Sequence, residues 1–263
     1  MELQELFSLK GKVALITGGA RGIGKFIATG MAEAGADVIL ASRKEKNLTA
    51  VCAELTERYR IKALPLACDI TKDEDIAKLV VESLEKMGKI DILVNNSGAT
   101  WGAPTLDFPL ERWDQLFNTN VRGVWILTQQ VARAMRAAGN GGSIINISSV
   151  MGFRGSEESV HPAVAYNSTK AALNVLTMNL AVKLSPYKIR VNAIAPGFFR
   201  TDMMSYIEKP EFKPALDAVL NTIPLRRIGD TDDIKGVAVF LASAAAAYVT
   251  GHILIADGGL LAK

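Results

Sequence analysis

The chain has 263 residues, 49% of them hydrophobic and 22% charged, enough for one large domain with a sizeable core or for two small ones. Its net charge of +3 comes from 30 basic and 27 acidic residues with no Lys/Arg run, which argues against nucleic-acid or membrane-surface binding. No stretch approaches the roughly 18 consecutive apolar residues of a membrane span, and Cys52 and Cys68 make no disulfide framework.

The opening "MELQELFSLKGK" is polar and lacks the apolar core of a signal peptide, so a reduced, cytoplasmic protein is expected. Seven strands are predicted in chain order: "KVALIT" (12–17), "DVILAS" (37–42), "KALPLAC" (62–68), "IDILVN" (90–95), "GSIINIS" (142–148), "IRVNAIA" (189–195) and "HILIAD" (252–257). Most are apolar on both faces, as in a parallel sheet covered on each side. "GIGKFIATGMAEAG" follows the first strand, "DEDIAKLVVESLEKMG" the third and "AYNSTKAALNVLTMNLAVKLS" the fifth, each of helical length. The alternation predicts an α/β fold: one domain over residues 1–263, a doubly wound, Rossmann-like parallel sheet with helices on both faces. Ligands on such sheets bind beyond the carboxyl ends of the strands, so the loops there carry the candidate chemistry.

The first such loop is "TGGARGIG", with Gly18, Gly22 and Gly24 between a strand and a helix. Glycines there permit a tight turn and close approach of backbone N–H groups to a phosphate at the helix N-terminus. The same composition also suits a plain glycine turn. The second strand ends in "LASRKEK". An acidic side chain at that place binds the ribose 2′-hydroxyl of NAD, whereas here Ser42 stands there and Arg43 and Lys44 follow. An arginine can take a 2′-phosphate through paired hydrogen bonds, and Arg21 adds a second cation. Such charges at a strand end are equally those of a solvated surface.

Further on, "AYNSTK" sets Tyr166 four residues before Lys170, on one helix face. A free phenol titrates near 10, and a neighbouring ammonium favours the phenolate, pulling it toward the working range. Alone, this spacing is also that of an ordinary surface helix. Asn120 in "NTNVRG" interrupts a helical stretch with a mediocre helix former.

Together "TGGARGIG", "NNSG" (95–98), "NISS" ending at Ser149, "YNSTK", "PGFFRTDM" (196–204) and "DGG" (257–259) resemble the short-chain dehydrogenase/reductase family, along almost the whole chain. Ser97 stands where that family usually has alanine. The resemblance implies that Tyr166 is the proton donor in carbonyl reduction and the base in alcohol oxidation, with Lys170 lowering its pKa. Ser149 would hydrogen-bond the substrate oxygen, since "SVMG" matches the family's serine, while Ser148 should point to the opposite face. Asn120 would hold a water that links the lysine to solvent.

The resemblance also implies a nicotinamide cofactor, NADP(H) in preference to NAD(H). Gly18, Arg21, Gly22, Ile23, Gly24, Ser42, Arg43, Lys44, Asp69 and Ile70 would bind it, with Asp69 at the adenine ring. Asn96, Gly98, Tyr166, Lys170, Pro196, Gly197, Phe199 and Thr201 would also bind it, Lys170 at the nicotinamide ribose and Phe199 and Thr201 at the carboxamide. No metal site is expected.

Within the family the chain is most similar to 3-oxoacyl-thioester reductases. "FSLKGK" and "SGATWG" resemble the branch associated with bacterial rhamnolipid synthesis. Arg133 matches a basic position that docks acyl carrier protein, and the second such position falls at Tyr187, beside Lys188. A gluconate-type sugar or polyol dehydrogenase is the nearest alternative, and secondary-alcohol or steroid oxidoreductases are compatible. A non-catalytic nucleotide-binding protein is the reading from a different class, against which the intact Asn120, Ser149, Tyr166 and Lys170 set argues.

Residues 201–224, with Met203, Met204, Tyr206, Ile207 and Phe212, would cover the substrate, Pro210 and Pro214 breaking any long helix. Trp101 and Phe153 would add apolar surface. The step from Ser149 to Tyr166 includes "RGSEESVHP", read as a surface loop near the entrance in which His161 is a solvated side chain or a substrate contact. A homotetramer is implied, one contact formed by helices around 112–137 and 166–184, the other by the last strand and the helix near 232–242.

Overall fold

The computed structural model describes residues 2–159, 161–201, 211 and 213–263. Seven strands, β1 (Val13–Thr17), β2 (Asp37–Ser42), β3 (Ala63–Ala67), β4 (Ile92–Asn95), β5 (Gly142–Ile147), β6 (Ile189–Pro196) and β7 (Ile253–Ala256), form one sheet in the order β3-β2-β1-β4-β5-β6-β7. Every neighbouring pair is parallel. Each observed strand lies inside a predicted run or within a residue of it. Pro65, opposite Leu40, is tolerated because β3 is an edge strand and one of its sides has no ladder to complete.

Alternate residues of each strand enter opposite layers, and this divides the core in two. On one side Ala14, Ile16, Val38, Leu40 and Ile145 pack with Ile27 and Met31 of α2 (Gly22–Glu33), Leu48 and Leu55 of α3 (Glu45–Tyr59), and Ile234 and Leu241 of α9 (Thr231–Ala242). On the other, Val13, Leu15, Ile39, Leu93 and Ile144 meet Ile76 and Leu79 of α4 (Asp73–Met87), Leu127 and Val131 of α6 (Val124–Ala138), and Leu180 of α7 (Val164–Leu184). Fully burying such a side chain contributes about 1.5–3 kcal/mol, so both layers hold the sheet firmly. The strand order reverses between β1 and β4, which opens a crevice at their carboxyl ends.

Two local features differ from the sequence expectation. Between α5 (Leu110–Phe117) and α6 the chain makes a π-helical turn, Asn118–Gly123, rather than continuing as an α-helix. Gly123 allows it: a Cβ there would run into the Ile70 carbonyl oxygen. In the predicted cover, α8 spans Lys213–Thr222 with Pro214 in its first turn. Proline opens that helix instead of breaking it, because first-turn N–H groups have no intrahelical acceptor. Met203, Met204, Tyr206, Ile207, Pro210 and Phe212 lie outside the described residues.

Candidate active site

The glycine turn is tied to the end of β4. Asn96 donates from its backbone N–H to Thr17 Oγ1 (3.0 Å) and from Nδ2 to the Thr17 and Gly18 carbonyls (2.9 and 3.2 Å). The Ser97 N–H also reaches Thr17 Oγ1, at 3.0 Å. A Cβ at Gly24 would collide with the Gly18 carbonyl, so only glycine lets the start of α2 close onto the turn. Gly22 has φ +53° and faces Thr201, whose Cγ2 would lie 3.3 Å from an added Cβ. The helix starts here with no side-chain cap, so the first N–H groups, at Gly22, Ile23 and Gly24, point outward as donors for an anion.

Arg21, Arg43 and Lys44 are exposed beside this turn and the end of β2. Ser42 donates from Oγ to the Lys44 carbonyl at 3.3 Å, shaping the turn that carries the two cations. Asp69 ends the β3 segment and accepts at Oδ1 from the Thr71 N–H (3.0 Å) and hydroxyl (2.8 Å). Burial alone would raise its carboxyl. The Thr71 bonds and the charges of Arg43 and Lys72 outweigh that and hold it below the ordinary carboxylate range. Ile70 is buried next to it.

Asn120 is 1% exposed and anchors the π-turn. Its Oδ1 accepts from the Ala99 N–H (2.8 Å), and its Nδ2 donates to the Ala99 carbonyl (2.9 Å) and Thr169 Oγ1 (3.0 Å). Both amide donors are thus spent inside the protein. The expected water link could use only the remaining lone pair or the main-chain carbonyl. An added Cβ at Gly98 would sit 3.3 Å from Asn120 Oδ1 and 3.7 Å from Lys170 Nζ, which puts this loop directly over both.

Ser149, Tyr166 and Lys170 come together at the ends of β5 and α7. The Ser149 hydroxyl lies close enough to the Tyr166 hydroxyl to act on its titration, and Ser149 Oγ accepts from the Met151 N–H at 3.1 Å. Ser148 turns the other way and donates to Asn174 Oδ1 at 2.6 Å. Lys170 is buried, with Nζ donating to the Ile147 carbonyl at 2.7 Å and lying 5.6 Å from the Tyr166 ring centre. Burial pushes its amine down to about 8.

One expectation is corrected here. The Tyr166 phenol is not drawn toward neutrality: burial raises it above its ordinary value, and the Ser149 hydroxyl only partly opposes this. Desolvation penalises the phenolate more than its neighbours stabilise it.

At the exit of β6, the Gly197 N–H donates to the Ala256 carbonyl at 2.9 Å, fixing the Pro196–Gly197 turn against the Asp257 segment. The Phe199 ring belongs to the core, with only 5% of the residue exposed, so it can serve a ligand through its main chain alone. Thr201, half-buried opposite Gly22, remains available from the side chain.

Sequence reasoning missed the polar scaffold under this site. Asn95 donates to Thr128 Oγ1 and Asn146 Oδ1, and Asn146 donates to Thr177 Oγ1, all at 2.9 Å. This buried chain ties β4 and β5 to α6 and α7, so it holds the helix that carries Tyr166. The asparagines end or interrupt apolar strands, which was a signal available in the sequence. The Arg112 guanidinium lies 4.1 Å over the Trp101 ring, and Leu106, Leu110, Trp101 and Phe153 are exposed. The His161 ring meets the Tyr166 ring edge-on at 6.0 Å.

A family profile described as "Enoyl-(Acyl carrier protein) reductase" matches residues 18–261. The chain is 41% identical over 261 residues to a 2-dehydro-3-deoxy-D-gluconate 5-dehydrogenase of Bacillus subtilis, covering 99% of each protein. It is 37% identical over 252 residues to a 3-oxoacyl-[acyl-carrier-protein] reductase of Aquifex aeolicus, covering 96% of this chain and 98% of that one. The Pseudomonas aeruginosa RhlG/NADP active-site complex superposes with a TM-score of 0.90 at 36% identity, covering 99% of both chains. Across nearly its whole length, therefore, the chain belongs to the short-chain dehydrogenase/reductase family of oxidoreductases.

Proposed function

We propose that the protein interconverts a ketone and a secondary alcohol with NADP(H), and that its substrate is a 3-oxoacyl thioester. The observation that carries the reaction is the juxtaposition of the Ser149 and Tyr166 hydroxyls beside the buried Lys170 amine, under the Gly98 loop. The residues fit a dinucleotide: Gly18, Gly22 and Gly24 let the turn pack closely enough to present the uncapped N–H groups at the start of α2 to a phosphate, and Arg21 and Arg43 suit a 2′-phosphate. Lys44, Asp69 and Ile70 would flank the adenosine, while Asn96, Gly98, Gly197, Phe199 and Thr201 would border the nicotinamide half. Bound NADPH would supply the hydride.

Tyr166 gives its proton to the substrate oxygen in reduction and takes it back in oxidation. Its raised pKa keeps the phenol protonated at neutral pH, the form that reduction needs. Ser149 hydrogen-bonds the same oxygen and steadies the charge that develops there. Lys170 places an ammonium behind the ring, which favours the phenolate once the proton has left. Asn120 holds the π-turn and the Gly98 loop in place over Lys170.

The exposed Trp101, Leu106, Leu110 and Phe153 support a substrate with a long apolar portion. A hydroxylated keto acid is the second reading, supported by the identity with the Bacillus dehydrogenase. We propose in addition a cytoplasmic homotetramer. Free, buried Cys52 and Cys68 suit a reducing compartment, and no helix among the described residues is long and apolar enough to cross a membrane. NADPH consumption with a 3-oxoacyl thioester, a 5-keto sugar acid and a bulky ketone at equal concentration tests the reading. Preference for the sugar acid would replace the thioester, and no consumption with any of them would remove the carbonyl chemistry.

A further inference from the structure

We infer that His161 is a substrate-positioning residue whose Nε2 binds a second, uncharged oxygen of the substrate, a few bonds from the carbonyl that Tyr166 protonates. The inference rests on the proposed role of Tyr166 and adds to it the recognition of a particular substituent.

The imidazole packs edge-on against Tyr166, with ring centres 6.0 Å apart and planes at 78°. Its Nε2 is shielded from solvent and has no hydrogen-bond partner within the protein. A buried polar atom left unpaired is destabilising, and a ligand hydrogen bond removes that penalty. The ring is not a loose surface side chain, because the backbone on both sides of it is held. The His161 N–H donates to the Glu157 carbonyl at 2.9 Å. The His161 carbonyl accepts from the Ala163 N–H (2.8 Å) and the Ser156 hydroxyl (3.1 Å).

This loop is also joined to the one after β4. The Ala103 N–H donates to the Pro162 carbonyl at 2.9 Å, and the Thr105 N–H donates to Glu158 Oε2 at 2.7 Å. Gly102 packs against Pro162 so closely that a Cβ would sit 3.2 Å from its Cγ. Two loops, from the ends of the neighbouring strands β4 and β5, therefore fix the imidazole beside the reacting phenol. A group held this way serves positioning rather than general solvation.

The ring's surroundings select the ligand's chemistry. Burial lowers the imidazole pKa, so the ring is neutral at neutral pH. A neutral imidazole pairs with a carbonyl or hydroxyl oxygen, whereas a carboxylate would call for the imidazolium. The thioester carbonyl of a 3-oxoacyl substrate is such an oxygen, and so is a hydroxyl beside a ketone.

The test compares kcat/KM for a 3-oxo ester with that for a monoketone of equal length, using NADPH with wild type, His161→Phe and His161→Asn. His161→Phe should lower the ratio of oxo ester to monoketone by about tenfold, the worth of one hydrogen bond, and mainly through KM of the oxo ester. His161→Asn, which keeps a donor, should recover most of that loss. An unmoved ratio in His161→Phe, or an equal fall in both variants with normal thermal melting, would overturn the inference while leaving the carbonyl reaction intact. Absence of NADPH turnover in the wild type would overturn both.

Discussion

Lys170 donates to the Ile147 carbonyl at 2.7 Å from a fully enclosed position, and this bond joins the end of β5 to the helix that presents Tyr166. The enclosure has a cost that pH reveals. The native amine titrates near 8 because burial disfavours its charge, while an unfolded lysine keeps its proton to about 10.5. Above pH 8 the unfolded chain binds more protons at this site, so stability rises with pH there, by at most about 1.4 kcal/mol per unit. Above 9 the cysteines oppose it, since burial lifts Cys52 to about 11 and Cys68 to about 12 and their unfolded forms lose protons first. Urea unfolding at pH 8.0–9.0, a window of about one unit, should show the rise in wild type and a clearly smaller slope in Lys170→Met. Equal slopes in the two proteins would mean that Lys170 titrates normally.

Tyr166→Phe retains the ring that His161 packs against and removes only the hydroxyl. Turnover should fall by at least about 10², the lower end of what a positioned proton donor supplies. NADPH binding, followed by fluorescence titration, should survive. Turnover near the wild-type rate would take Tyr166 out of the chemistry.

How legible was all this in the sequence? The seven strands were, because runs such as "VALIT" are apolar on both faces and only a doubly covered sheet can bury them. The choice of Ser149 followed from the resemblance of "SVMG" to the family's serine, and the alternation of an extended chain predicted that Ser148 turns away, as its bond to Asn174 shows. Helix α3 was readable in principle from Leu48, Val51, Cys52 and Leu55, spaced to make one stripe. The π-turn was not, since it depends on Ile70 approaching Gly123 from a distant segment. Nor was the direction of the Tyr166 shift. An i, i+4 lysine shows which charge is near, but not how much water the fold removes. The His161 contact likewise depends on bonds between two loops that no local pattern announces.

Asn120→Ala removes three hydrogen bonds at once and leaves the Ala99 N–H, its carbonyl and Thr169 Oγ1 without that partner. The loss of one buried bond that strands its partner costs about 1–3 kcal/mol, so a destabilisation of at least that size is expected. The denaturant midpoint measures it. A variant as stable as wild type would show that the π-turn holds itself without this side chain.

Phe117, Val121, Trp125, Val175 and Leu176 line an open groove of about 700 Å³ between α5, α6 and α7, and Met178 and Val182 are exposed on the same helix α7. A second copy of the chain covers this face in the proposed tetramer. Trp125→Glu puts a charge into the groove and should reduce the mass seen by light scattering at micromolar concentration. A monomeric wild type would contradict the assembly, and an unchanged mass in the variant would move the contact elsewhere.

Cofactor choice turns on the exposed cations at the end of β2. Arg43 is close enough to Asp69 to help hold that carboxyl down, yet it forms no salt bridge among the described residues, which leaves its guanidinium open to a phosphate. If it binds the 2′-phosphate, Arg43→Ala should weaken NADPH while leaving NADH nearly unaffected. A charge-assisted bond contributes about 1.5–3 kcal/mol, or roughly ten- to a hundredfold in affinity. Ser42→Asp should shift the preference further. Its carboxylate would repel the phosphate and accept a hydrogen bond from the free 2′-hydroxyl of NADH. Both positions lie at the adenosine end of the crevice, away from Ser149 and Tyr166, so kcat at saturating cofactor should change little. The measurement is kcat/KM with NADPH divided by kcat/KM with NADH for wild type and both variants. A wild type that already favours NADH, or an Arg43→Ala variant with an unmoved ratio, would show that this basic pair does not read the phosphate.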